Sequence, residues 1–156
     1  MNNIIFKTIL FYFLVIFSLV SKNKEIEITA TSMEWKKEES IAIATGDAKA
    51  IQGATVLYAN KIIVFFDEEK DFNSIKKLDA SGNVKFIREN QIATGNNAVY
   101  FVENEKIFIK GNVTLQREDS MMLGDELSID LKTSSSKLTS KNNEKVKAKY
   151  NTEKVD

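Results

Sequence analysis

The sequence predicts an all-β protein: a twisted, partly open antiparallel β-jelly roll, made by folding over one curved sheet of about eight to ten strands. Two observations predict this fold. Apolar and polar residues alternate with a period of two along most of the chain after residue 25, where no helical periodicity occurs. In addition, one sequence unit recurs in register without gaps. With 156 residues, the chain is long enough for one domain with a substantial core.

The repeated unit begins at Gly46, at Gly82 and at Gly111. Its three copies read GDAKAIQGATVLYANKIIVFFD, GNVKFIRENQIATGNNAVYFVE and GNVTLQREDSMMLGDELSIDLK. Each copy opens with Gly and Asp or Asn, continues as an alternating strand, passes a short turn (QGAT, RENQ or REDS) and ends in a second strand. Each unit therefore predicts a strand pair with one apolar face.

The alternation predicts which side chains face the interior. In the opening stretch, from Ala44 to Phe66, we expect the even-numbered residues to face inward. The inward set predicted for the whole chain is Ala42, Ala44, Ala48, Ala50, Ile62, Val64, Phe66, Leu78, Ala80, Val84, Phe86, Ala98, Tyr100, Val102, Ile107, Ile109, Val113, Leu115, Leu127, Ile129 and Leu131. Four further apolar residues face the other side and have no assigned role: Ile63, Phe65, Val99 and Phe101.

The recurring Gly-Asx pairs predict bends in the sheet. Because alternation continues through Gly46 unbroken, we expect a bend or a close backbone approach there, without an inserted bulge residue. Bends at equal heights on successive strands curve a sheet into a sandwich, a jelly roll or an open trough. At the end of the domain, residues 144–150 predict an edge strand whose lysines limit uncontrolled pairing, and residues 151–156 a flexible tail.

The N-terminus predicts export. Lys7 precedes the apolar block Thr8 to Val20, which has the length of a signal-peptide core and is short for a membrane span. The expected organisation is residues 1–21 as a signal peptide or retained membrane anchor, followed by the β domain over residues 25–150.

The composition argues against an enzyme. With no histidine and no cysteine, the chain lacks the commonest general base and the usual transition-metal ligands, so we expect no metal and no cofactor. The acidic run Asp67 to Asp71 predicts a solvated loop, and Asp125 is the one plausible inward carboxylate, where a glycosidase needs two. Since 22 basic residues balance 22 acidic ones, nothing favours nucleic-acid binding.

Two interpretations of the apolar interior stay open at this point. Alternating strands normally bury one face against another, which predicts an ordinary filled core in a structural scaffold. The first unit, however, offers alanines where the others offer Val84, Phe86, Val113 and Leu115, so facing layers would fill space unevenly. Uneven filling favours a trough that holds an apolar ligand.

Three stretches resemble the OstA-like, LptA family of periplasmic lipopolysaccharide-transport proteins: TGDAKAIQGATVLYANKIIV, IKGNVTLQREDSMMLGDELSIDL and the opening EIEITATSMEW. The resemblance fits both the soluble bridge proteins and the membrane-anchored LptC-type protein of the same fold. It implies a periplasmic, non-enzymatic carrier that binds lipopolysaccharide acyl chains in its interior and assembles edge to edge, for outer-membrane biogenesis. The implied partners are lipopolysaccharide, an LptC-type inner-membrane protein, an LptD-type outer-membrane translocon and further copies of the chain.

The resemblance also implies lipid-facing positions, namely Ile26, Ile28, Phe86, Tyr100 and Val102. Alternation adds four more, namely Val64, Phe66, Leu115 and Ile129. An acyl chain must be shielded from water during transport, because each exposed methylene costs about 0.8 kcal/mol, or roughly 10 kcal/mol for a twelve-carbon chain.

Overall fold

The computed structural model describes residues 25–69 and 74–151, which form ten β-strands and one short 3-10 helix. The elements are β1 (Glu27–Thr29), β2 (Ser32–Lys36), the 3-10 helix (Lys37–Glu39), β3 (Ile41–Gln52), β4 (Thr55–Phe66), β5 (Ile75–Arg88), β6 (Gln91–Phe101), β7 (Lys106–Arg117), β8 (Ser120–Asp130), β9 (Ser135–Thr139) and β10 (Lys147–Tyr150). All pairings are antiparallel, and the strands form one ten-stranded sheet. The predicted all-β fold is confirmed.

The sheet is folded into two layers that share the six long strands β3 to β8. β1 and β10 extend the first layer, where they pair with the end of β3 and the start of β8. β2 and β9 extend the second layer, where they pair with the start of β3 and the end of β8. One core cluster contains residues from both layers, so the sheet closes on its own apolar face.

The crease between the layers follows the Gly-Asx pairs. Gly46 and Asp47 both have positive φ, at 84° and 45°, and the other two pairs share this backbone conformation. The β3–β4 register shifts between Thr45 and Ala48, and equivalent shifts occur at the other two pairs. Each first strand therefore carries one residue more than its partner. The bend is confirmed, but the expectation that no residue is inserted there is wrong.

The same crease changes the side-chain alternation on the second strand of each unit. Inward residues on β3 step by four across the crease, from Ala44 to Ala48, whereas those on β4 step by three, from Ala59 to Ile62. Leu57 and Ala59 are consequently buried, and Tyr58 lies on the outer face. The prediction that even-numbered residues face inward is therefore wrong for residues 55–60, because a three-residue step reverses the parity.

The predicted turns are confirmed, and so is a last edge strand, although it begins at Lys147 and leaves residues 144–146 outside it. Two residues connect β3 to β4, β5 to β6 and β7 to β8, and the first of each pair, Gly53, Glu89 or Glu118, has a positive φ. β10 pairs with β8 alone, at the edge of the first layer. The predictions for residues 1–21 lie outside the described part of the chain, as do residues 70–73 of the acidic loop and residues 152–156 of the tail.

Candidate lipid-facing site

All nine predicted lipid-facing residues are turned towards the interior. Five belong to the buried core cluster, and four are partly buried and pack against it at the margins. The buried five are Val64, Phe86, Tyr100, Leu115 and Ile129, and the marginal four are Ile26, Ile28, Phe66 and Val102. The fold therefore brings all nine onto one apolar surface, but it leaves the two groups with very different access to solvent.

The middle of the interior is filled by side chains of both layers. Phe86 is 1% exposed, and the β7 residues Ile107 and Leu115 are similarly buried. Among the described residues no polar or charged side chain is buried, and no buried side-chain polar atom lacks a hydrogen-bond partner. In this conformation the middle has the character of a packed protein core.

The N-terminal end of the interior is open. Met33 and Trp35 on β2 pair with the inward residues Ala44 and Ala42, so their side chains lie on the inner face. They are nevertheless 55% and 57% exposed, and the Trp35 ring contacts the Phe66 ring at a centroid distance of 4.6 Å. Sequence reasoning did not select these two residues, although the alternation in ATSMEWK would have identified them.

The C-terminal end contains a cavity of about 530 Å³. Ile129, Leu131 and the exposed ring of Tyr150 supply apolar walls. Its polar walls come from the turns of the second and third units and from the chain after β8, and they include Arg88, Glu89, Asn90, Gln91, Arg117, Glu118, Asp119, Ser120, Ser134 and Asn151. Sequence reasoning missed the cavity because its walls are distant along the chain.

Polar side chains join the two layers along the rim opposite the crease. The Tyr100 hydroxyl in the second layer donates to Oε1 of Gln52 in the first, at 2.5 Å. Burial, with a smaller contribution from Glu105, raises the pKa of Tyr100 to about 12, while Arg88 opposes this shift. Tyr100 therefore stays a neutral hydrogen-bond donor at any physiological pH.

The outward apolar residues form a second surface on the outer side of the second layer. Ile63 pairs with Ile43, and Val99 pairs with Phe108. The rings of Phe101 and Phe108 meet edge to face at a centroid distance of 6.0 Å, and the Lys77 ammonium lies 4.2 Å from the centroid of Phe65. These side chains partly cover one another, which explains how the sheet tolerates apolar residues on its outer face in water.

Asp125, the one plausible inward carboxylate in the sequence, makes a hydrogen bond to the backbone. Asp125 accepts a hydrogen bond from the Lys141 backbone N–H at 2.8 Å and lies at the crease. No group of three or more acidic residues within the described ranges is arranged to hold a metal ion.

No helix in residues 25–69 and 74–151 has the length and apolar character needed to cross a bilayer.

Comparison with known protein families identifies the family of this chain. A family model described as the LptA/(LptD N-terminal domain) LPS transport protein matches residues 27–135. The chain belongs to this family. The match runs from β1 to the start of β9, and thus includes all three repeated units and the crease. Membership supports a role in lipopolysaccharide transport and confirms the resemblance found in the sequence.

Two individual proteins are similar to this chain in sequence. An uncharacterised protein of Rhizobium meliloti (strain 1021) is 29% identical over 125 residues, which cover 76% of this chain and 67% of that protein. The LPS-assembly protein LptD of Nitrosomonas europaea is 30% identical over 64 residues, which cover 41% of this chain and 9% of that protein.

A solved structure of the family has the same fold. LptH, described as the LptA homologous periplasmic component of the lipopolysaccharide transport device of Pseudomonas aeruginosa, superimposes with a TM-score of 0.72. The superposition covers 83% of this chain and 97% of LptH, at 16% sequence identity. The folded-over sheet is therefore an architecture known in this family.

Proposed function

We propose that this protein binds the acyl chains of lipopolysaccharide on its inner face and carries them between the inner and outer membranes as a non-enzymatic, edge-to-edge bridge. The observation that carries the proposal is a continuous apolar interior with exposed inner-face side chains at both ends. Trp35 and Met33 lie at one end and Tyr150 at the other. A trough used for transfer needs apolar side chains at its entry and exit, since otherwise the acyl chains would pass through water between protomers.

The sheet edges support assembly of copies end to end. In the described residues, β1 and β2 leave one edge of the sheet without a neighbour, and β9 and β10 leave the other. Unpaired edges present backbone N–H and C=O groups to any strand that can align with them. Joining β1 of one copy to β10 of another would continue the first layer and align the two interiors.

The charges of these two edge strands are complementary. Glu27 lies on β1, while Lys147 and Lys149 lie on β10, and all three are exposed. Opposite charges on adjoining strands stabilise one pairing and disfavour the pairing of like edges. We propose an LptC-type partner and an LptD-type partner at the two ends of the bridge.

The filled middle favours one alternative, a structural β scaffold with a dry core. Under the transport proposal the two layers must separate for lipid to reach Phe86, whereas the scaffold never opens. Lipid capture at exposed inner positions distinguishes the transport proposal from the scaffold alternative.

A photo-crosslinking amino acid at Trp35 or Tyr150 should form light-dependent adducts with lipopolysaccharide. Tyr58, an exposed aromatic residue on the outer face, is the matched control. Adducts at Trp35 and Tyr150 but not at Tyr58 support the proposal. Equal labelling at all three sites, or at none of them, contradicts it and favours the scaffold.

Charge exchange tests the assembly. Glu27→Lys or Lys147→Glu alone should weaken self-association in analytical ultracentrifugation, and the double exchange should restore it. Lys85→Glu on the outer face of β5 is the control for a change in net charge. If the double variant associates as weakly as the single ones, the β1 to β10 contact is wrong.

Periplasmic localisation is part of the proposal, either as a free bridge or as a membrane-anchored LptC-type component. The mass of the mature protein distinguishes these forms. Loss of about the first 21 residues indicates a free bridge, and retention indicates an anchored component.

A further inference from the structure

Two arginines point into the C-terminal cavity. Arg88 lies two residues after the buried Phe86, and Arg117 lies two residues after the buried Leu115, so alternation places both on the inner face. They occupy equivalent positions in the second and third units. Arg88 on β5 pairs with Gln91 on β6, and Gln91 pairs with Arg117 on β7, so the three residues form one row across the sheet.

The two guanidinium groups are partly buried and bonded to neutral acceptors. Arg88 Nη1 donates to the Leu131 carbonyl oxygen, and Arg117 Nη2 donates to Ser136 Oγ, both at 2.8 Å. Within the described ranges, no carboxylate forms an ion pair with either arginine. The acidic residues at this rim, Glu89, Glu118 and Asp119, are exposed at the hairpin turns. The cavity thus contains two cations whose charge is not neutralised by direct pairing.

The remaining walls suit an amphiphile. Ile129 and Leu131 continue the apolar interior to the cavity, and Tyr150 adds an aromatic ring. A volume of about 530 Å³ lies in the range of small-ligand pockets. Two guanidinium groups line this one cavity, and arginine is the side chain that binds the oxygens of a phosphate in bidentate fashion.

We propose that Arg88 and Arg117 form an anion subsite that binds the phosphate group of a lipid whose hydrocarbon chain lies along Ile129 and Leu131. This inference rests on the proposed function, which it deepens by naming the chemistry of the head group. The site orients an amphiphile, since its charged end is held at the rim and its apolar end points into the interior.

Isothermal titration of the isolated chain with three probes tests the subsite. The probes are dihexanoyl phosphatidic acid, dihexanoylglycerol and inorganic phosphate. We expect the wild type to bind the phosphorylated lipid more tightly than the neutral one. Arg88→Gln and Arg117→Gln should each weaken binding of the phosphorylated lipid about tenfold or more, the effect of losing one charge-assisted hydrogen bond. Binding of dihexanoylglycerol should stay unchanged.

The control variants separate charge from folding. Lys85→Gln removes a cation from the outer face of the same strand as Arg88 and should leave all three affinities unchanged. Arg88→Lys and Arg117→Lys keep the charge but lose the bidentate geometry, so their affinities should fall between those of wild type and the glutamine variants. Unaltered circular dichroism and unaltered urea midpoints of the glutamine and lysine variants would show that the fold is retained.

Three outcomes would overturn the inference. Equal binding of the two lipids by wild type removes the subsite but leaves lipid carriage intact. Inorganic phosphate that binds as tightly as the phosphorylated lipid indicates a free-anion site in place of a head-group site. If neither lipid binds, the proposed function fails, and the absence of phosphate-induced shifts in the arginine side-chain NMR signals then excludes the anion site as well.

Discussion

The middle of the interior and its two ends are built from the same alternating pattern but differ in packing. In the middle, Phe86 and Leu115 are covered by both layers. At the N-terminal end, Met33 and Trp35 have the same inward orientation but lie beside the small alanines of β3 and remain exposed. An inward position therefore does not by itself decide burial. An inward side chain on the edge strand β2 has a neighbouring strand on one side only, and it therefore stays exposed.

The largest expected effect comes from removing a side chain in the middle. Phe86→Ala should lower the free energy of unfolding by about 3–5 kcal/mol, because it loses buried surface and leaves a cavity. Trp35→Ala should cost under about 1 kcal/mol despite its larger ring, since that ring is mostly in water. Urea denaturation measures both. Equal costs would show that the N-terminal end is as well packed as the middle.

A smaller loss is expected from stiffening the crease that makes the two layers face each other. Gly111 has φ +83°, and a Cβ there would lie 2.7 Å from Nδ2 of Asn96. Gly111→Ala should therefore cost about 1–3 kcal/mol through strain and crowding. The control is Gly53→Ala in a hairpin turn, where φ is +56° and no atom lies within 4 Å of the added Cβ. Thermal unfolding should show the smaller decrease for Gly53→Ala.

Tyr100 connects the packed middle to the polar rim, and removing its hydroxyl should lower the free energy of unfolding modestly. Tyr100→Phe should cost about 1 kcal/mol at neutral pH by removing the hydrogen bond to Gln52. The pKa of Tyr100 is raised from 10.0 to about 12, so its stabilisation is complete below pH 10 and is lost as pH rises towards 12. Chemical denaturation across this range should show a steeper loss for wild type than for Tyr100→Phe.

The smallest effect belongs to an exposed ion pair at the C-terminal end. The hydrogen bond from Lys141, followed by the charges of Lys110 and Lys141, lowers the pKa of Glu126 below its usual value. A lowered pKa stabilises the fold above the unfolded-state value and loses that contribution as pH falls through the folded value. Melting temperatures between pH 7 and pH 3 should decline slightly less for Glu126→Gln, and high salt should remove the difference.

Much of the fold followed from local pattern. The three Gly-Asx units, the short turns and the inward rows through Val64, Phe86 and Leu115 were predictable, because strand alternation and turn chemistry act over a few residues. Two details were not. The extra residue at each crease and the reversed alternation at Leu57 and Ala59 depend on how neighbouring strands align, which no single strand specifies.

The candidate lipid-facing site also has features that follow from the sequence and features that do not. The alternation by itself determined that seven of the nine named residues share an apolar inner face, since side-chain direction in a strand follows from its period of two. The other two, Ile26 and Ile28, came from the family resemblance. Only the tertiary structure decided which of the nine are accessible, and only it brought Arg88 and Arg117 to a cavity lined by Ile129, Leu131 and Tyr150. The physical reason is that burial and cavity formation depend on the opposing layer, whose residues are distant along the chain.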